Sequence, residues 1–111
     1  MIRRPFETGF RALGAAVALS LVVVLPAQAQ DAGEGERLAR LWCAQCHQIA
    51  PDEPATDTAP SFVAMADDQA FNEGRLKTWL WDPHPPMPKI SLDRFEIEAL
   101  VAYILSLGPG E

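Results

Sequence analysis

The sequence predicts a small all-α domain that cannot fill its own core. Three observations predict it. No segment alternates apolar and polar residues as a strand would, whereas Ile97, Leu100, Val101, Ile104 and Leu105 recur at helical spacing. Two proline-broken stretches, 48–60 and 82–88, divide the chain and hold no long apolar run. Once an N-terminal leader is set aside, residues 30–111 remain, 82 in all, which is few for a large apolar core.

The leader comes first. Arg3, Arg4 and Arg11 give a positive start, Ala12 to Leu25 is an apolar run of 14 residues, Pro26 breaks it, and Ala27-Gln28-Ala29 has the small-x-small form of a cleavage site. A membrane span needs about 20 residues, so residues 1–29 are expected to be a signal peptide removed after export. The domain is then 30–111 and the compartment periplasmic. Membrane attachment would follow only if the leader stayed on. The remaining domain carries six Lys and Arg against fourteen Asp and Glu, a net charge of −8. That excludes nucleic acid, which needs a basic face.

Within the domain, Asp31-Ala32-Gly33-Glu34 has the spacing of a capping box. Gly35, Leu38, Ala39, Trp42 and Cys46 then share one helical face, with Trp42 expected in the core. Residues 48–60 read as loop. Ser61 caps a short turn through Phe62, Val63 and Met65. Asn72 caps a helix over 73–81 with Leu76, Trp79 and Leu80 inward, ended by Pro83. Four prolines in 82–88 make a stiff extended loop. Ser91 is the expected cap of the last helix, with Asp93 in its first turn, and Gly108-Pro109-Gly110 stops it.

The chemistry lies in Cys43-Ala44-Gln45-Cys46-His47, the chain's only two cysteines followed by one of its two histidines. C-x-x-C-H is the form of covalent c-type haem attachment. Two thiols a helical turn apart can each add across a haem vinyl group, and the adjoining imidazole then reaches the iron. A haem would also supply the apolar bulk the short chain lacks. Two other readings compete. Trp42-Cys43-x-x-Cys46 superficially matches a thiol oxidoreductase, but no strand precedes it, as a βαβ context requires. Cys43, Cys46, His47 and His84 number enough for zinc, but adjacent Cys46 and His47 rarely converge on one tetrahedral ion.

The iron's sixth position has three candidates, Met65, His84 and Met87, and can also stay open, as in a haem sensor or a peroxidase-like enzyme. Pro86 and Pro88 confine Met87, and a thioether there would favour ferrous iron. Met65 fits packing and His84 a solvated loop. Pro60 is placed to offer its carbonyl to the second nitrogen of His47, which would fix the tautomer. An ordinary loop proline is an equal reading. Trp79 can donate its indole N–H to a haem propionate. Arg75, Lys77 and Lys89 read as solvated surface.

Taken together, Cys43-Ala44-Gln45-Cys46-His47, Ala59-Pro60-Ser61-Phe62, Met87-Pro88 and Leu100-Val101-Ala102-Tyr103 resemble, in order, the small class I c-type cytochromes. The resemblance runs from about Gly33 to Leu107. It implies three to five helices wrapped around one covalent haem c, with His47 and Met87 as the metal ligands. Pro60 would accept the histidine's bond, and Gly35 would allow a close crossing with Tyr103. It implies a one-electron carrier, not an enzyme in itself, that meets a dehydrogenase, oxidase or other cytochrome. Ala39 departs from the family, many members of which place an aromatic there, and a looser contact between the terminal helices is the expected consequence.

Overall fold

The computed structural model describes residues 14, 18–24, 27–83 and 85–109. Four helices follow one another: α1 (Ala27–Trp42), α2 (Phe62–Asp67), α3 (Glu73–Trp81) and α4 (Arg94–Ser106). No strand occurs among the described residues. His84, Gly110 and most of the leader lie outside them. The described part of the leader's apolar run, Leu19 and Leu21 to Val24, is strongly exposed. No described helix is long and apolar enough to cross a membrane.

The terminal helices α1 and α4 form the frame. They cross at Gly35, which is buried. A Cβ at that position would run into the Ala99 carbonyl and come within 2.7 Å of the Tyr103 Cβ. Hydrogen alone fits, so glycine is what lets the two backbones touch. Beside the crossing, Leu38 and Ala39 of α1 pack with Ile97, Leu100, Val101 and Ile104 of α4 in one continuous core. Ala39 is fully buried, so the small side chain at this position leaves the contact closed rather than loose. Tyr103 anchors the frame to the loop. Its hydroxyl donates to the Ile49 carbonyl at 2.7 Å, across 54 residues of sequence and away from water.

Two caps stand where the sequence places them. Ser61 accepts from the Ala64 amide at 3.1 Å and Asn72 from the Arg75 amide at 3.0 Å. Two helix starts differ. α1 begins at Ala27, four residues before the expected capping box, because Ala and Gln propagate a helix well enough to carry it through. Glu34 is then mid-helix and pairs with Arg37 at 2.6 Å. α4 is capped by Asp93, not Ser91. The Asp93 side chain accepts from the Glu96 amide at 2.9 Å, and the Glu96 carboxylate accepts from the Asp93 amide at 2.8 Å. Ser91 has no glutamate three residues on with which to reciprocate. Leu92, just before the cap, packs against the core that holds Ile97.

The inward faces also differ at their edges. Trp42 is 56% exposed and so is not a core residue. It sits in the last turn of α1, at the edge of the cavity that forms the site. Leu105 is 38% exposed at the rim of the α4 stripe, while Ala99 and Tyr103 take buried places. The core is thus concentrated at the α1–α4 crossing. α3 joins this core through Leu76, and the space between the core, the rest of the inner face of α3 and the 86–90 segment is the site.

Candidate functional site

The site grows out of the end of α1. Beyond Trp42 the chain keeps turning: the amides of Cys43 and His47 donate to the carbonyls of Ala39 and Cys43 at 2.8 and 2.9 Å, and the Cys46 amide to Cys43 at 3.1 Å. This continued winding brings Cys43, Cys46 and His47 to one wall of a single cavity. Both thiols are free.

His47 is fixed from behind. Its Nδ1 lies 2.6 Å from the Pro60 carbonyl oxygen. A carbonyl can only accept, so the contact selects the tautomer of the neutral ring with the proton on Nδ1 and the lone pair on Nε2. The ring also rests against Phe62, with centroids 5.3 Å apart and planes tilted by 50°. The irregular 48–60 loop is held in shape by side chains. Gln48 Nε2 donates to the Glu53 carbonyl at 2.6 Å, Thr56 Oγ1 to the Cys46 carbonyl at 2.8 Å, and Arg40 reaches Glu53 at 2.6 Å. These bonds deliver Pro60 to the imidazole in a stretch without regular structure.

The cavity measures about 400 Å³. Its walls are almost wholly apolar. Leu76, Trp79 and Leu80 of α3 and Leu100 and Ile104 of α4 form the floor, and Pro86, Met87 and Pro88 come from the loop. Met87 is half-buried there. Trp79 is edge-on to Phe71, centroids 6.0 Å apart. The cavity is part-open, so its apolar walls face water unless something covers them, at a cost of about 25 cal/mol per Å² of apolar surface. The cavity therefore calls for a large apolar occupant, and two thiols with one imidazole on its wall suit a planar macrocycle with a metal centre.

All six sequence-derived site residues, Cys43, Cys46, His47, Pro60, Trp79 and Met87, line this one cavity, and Pro60 also meets His47. Met65 is buried in the core from α2 and also borders the cavity, so its packing role and its nearness to the site coincide. Trp42 belongs to the cavity wall. The sequence signal was its position next to Cys43, and helical-face counting assigned it to the core instead. Phe71 and Ile90 also line the space with no motif to announce them.

The rival chemistries fit less well. Burial pushes the Cys43 thiol up to about 11, whereas a disulfide-exchange cysteine needs an accessible thiolate. No group of three or more His, Cys, Asp or Glu side chains gathers around a metal-sized space among the described residues.

Comparison with known proteins agrees with the geometry. The family model for cytochrome c matches residues 32–108, most of the chain. The chain belongs to the cytochrome c family. It is 44% identical over 84 residues to cytochrome c-552 of Bradyrhizobium diazoefficiens, covering 75% of this chain and 81% of the relative. No solved structure matches significantly. This cytochrome thus holds one covalent haem c and is an electron-transfer protein that works with redox proteins.

Proposed function

We propose that this is an exported carrier that passes single electrons between redox proteins, in which His47 and Met87 would hold the haem iron. The observation that carries the reading is that both thiols, His47 and the Pro86-Met87-Pro88 loop line one and the same cavity. Bound haem supplies a ferric–ferrous couple that moves one electron without making or breaking substrate bonds.

The chain's own residues do the rest. Cys43 and Cys46 would hold the porphyrin through thioethers. His47 presents Nε2 because its Nδ1–H is committed to Pro60 at 2.6 Å, and that bond sets both ring orientation and ligand basicity. Met87 would offer its thioether from a segment whose flanking prolines restrict the backbone. The apolar floor excludes water, which disfavours the more highly charged iron state. Trp79 would meet a propionate from the α3 side. Cleavage after Ala29 would release the domain from its leader on the far side of the membrane.

Replacing Met87 by Ala is the test. Expected outcomes are loss of the far-red charge-transfer band of a ferric haem–methionine bond, a fall in reduction potential and new carbon monoxide binding by the reduced protein. Met65→Leu should change none of these. If Met87→Ala leaves the spectrum intact and His84→Ala removes the sixth ligand, the assignment of Met87 is wrong.

A further inference from the structure

We propose that Thr56 is a positioning residue for electron transfer: its hydroxyl sets the hydrogen bond between Pro60 and His47, and through it the strength of His47 as an iron ligand. The inference rests on the reading of His47 as that ligand. Thr56 Oγ1 donates to the Cys46 carbonyl at 2.8 Å, ten residues away in sequence. Local turns in which a Thr hydroxyl bonds its own stretch of backbone span at most about four residues. This bond is instead a tether between separate parts of the chain.

The tether grips the peptide unit that carries the His47 amide. That unit's carbonyl, from Cys46, takes the Thr56 hydroxyl, and its N–H, from His47, donates to the Cys43 carbonyl at 2.9 Å. On the other flank of the histidine, the Gln48 carbonyl accepts from the Phe62 amide at 3.0 Å. Pro60 therefore sits between two tie points, Thr56 before it and Phe62 after it, which hold the residues directly before and after His47. The Pro60 carbonyl, 2.6 Å from Nδ1, is suspended between them. One tie is main chain to main chain and needs no side chain. The other depends on a single hydroxyl. The loop's ties from Gln48 and Arg40 end at Glu53, on the far side of Thr56 from Pro60.

Donation from Nδ1–H to a carbonyl makes the opposite nitrogen, Nε2, the better electron donor. A better donor favours ferric iron, and hydrogen bonding around an axial ligand is one of the levers on haem potential. Without the Thr56 tie, residues 57–60 gain freedom, the Nδ1–H···O bond lengthens on average and Nε2 donates less. The potential should then rise. Thr56 is exposed, so water can replace its hydroxyl at the Cys46 carbonyl and the fold should lose little.

Thr56→Val keeps the branched shape and removes the hydroxyl. In the haem-loaded protein its reduction potential should be higher than that of the wild type. Proton NMR of the ferrous form should show the His47 Nδ1–H exchanging severalfold faster with solvent. Thr56→Ala carries the same expectation without the second methyl, and Thr56→Ser should restore both values. Thr78→Val is the control: it removes a hydroxyl bond of the same kind, to the Gly74 carbonyl at 2.9 Å within α3, and should move neither readout. A Thr56→Val protein that melts earlier yet keeps the wild-type potential and exchange rate would show a merely structural tie and overturn the proposal. So would a shifted potential with an unchanged Nδ1–H. His47 ring protons without the strong ring-current shifts of an axial ligand would sink the ligand reading and this proposal together. With those shifts present, an unmoved Nδ1–H overturns the role of Thr56 alone.

Discussion

Tyr103 shows how much one hydroxyl can hold. It is 6% exposed, and its partner Ile49 is fully buried, so the bond between them is sheltered on both sides. Tyr103→Phe deletes the donor and strands the Ile49 carbonyl, which should cost about 1–3 kcal/mol. Chemical denaturation should show it as a lower midpoint with an unchanged slope. There is a pH signature as well. Burial first, and the nearby Glu36 charge second, raise the Tyr103 pKa above its ordinary value near 10. The unfolded phenol therefore loses its proton before the folded one. The stability this group contributes is fully present below the unfolded pKa and is lost as pH rises through that value towards the folded one. Since Tyr103 is the chain's single tyrosine, the phenolate absorbance reports it directly, and Tyr103→Phe should flatten that part of the stability–pH curve. Among single residues, four that line the cavity were legible from short spacing: Cys43, Cys46 and His47 sit within five positions, and Met87 between two prolines. Trp42 was not legible. A helical face counts as core only where something covers it, and the last turn of α1 overhangs a cavity made by residues 20–60 positions away.

At the scale of elements, the α1–α4 crossing is the joint on which the cavity floor depends. Leu100 and Ile104 reach the cavity from the same helix whose Ala99 and Tyr103 meet Gly35. Gly35→Ala would force a methyl against backbone, not against a side chain that can swing away. The cost should be about 3 kcal/mol, at the upper end for overpacking. For a domain of this size that corresponds to a melting temperature lower by on the order of 10–20 °C. Calorimetry on the haem-loaded protein checks it, and Gly33→Ala is the control. Gly33 lies on the same helix with nothing within 4 Å of its missing Cβ, so that change should be neutral or mildly stabilising. A Gly35→Ala variant that melted with the wild type would mean the helices can part without loss. The helices themselves were legible from periodicity and from Ser61 and Asn72, whose caps are purely local. The two mistaken starts turn on reciprocity and continuation. Asp93 wins over Ser91 because Glu96 answers it, and Asp31 loses because the residues before it are already helical.

At the scale of the molecule, composition and architecture make the same demand. The cytochrome c domain, matched over residues 32–108, is small, and with its long side-chain-tied loop it surrounds a cavity of about 400 Å³ with mostly apolar walls. The α1–α4 core lies to one side of that space; α3 joins the core through Leu76, and the rest of its inner face, like the Met87 loop, borders the cavity. Without the group that fills it, the apolar side chains lining these two walls are left against water. Binding and folding should therefore be coupled, as in small metal-stabilised domains. A Cys43→Ala/Cys46→Ala variant, purified without haem, should keep helical far-ultraviolet circular dichroism from α1 and α4. It should lose its near-ultraviolet bands and bind a dye for exposed apolar surface. Its thermal transition should be broad or absent, whereas the haem-loaded wild type should melt cooperatively. Phe71 and Trp79, edge-on to each other across the α3 wall, give a local reporter, since their contact should dissolve before the Gly35 crossing does. A haem-free variant with sharp near-ultraviolet bands and a cooperative melt would show that the walls hold by themselves and that the cavity is a finished pocket, not an unfinished core.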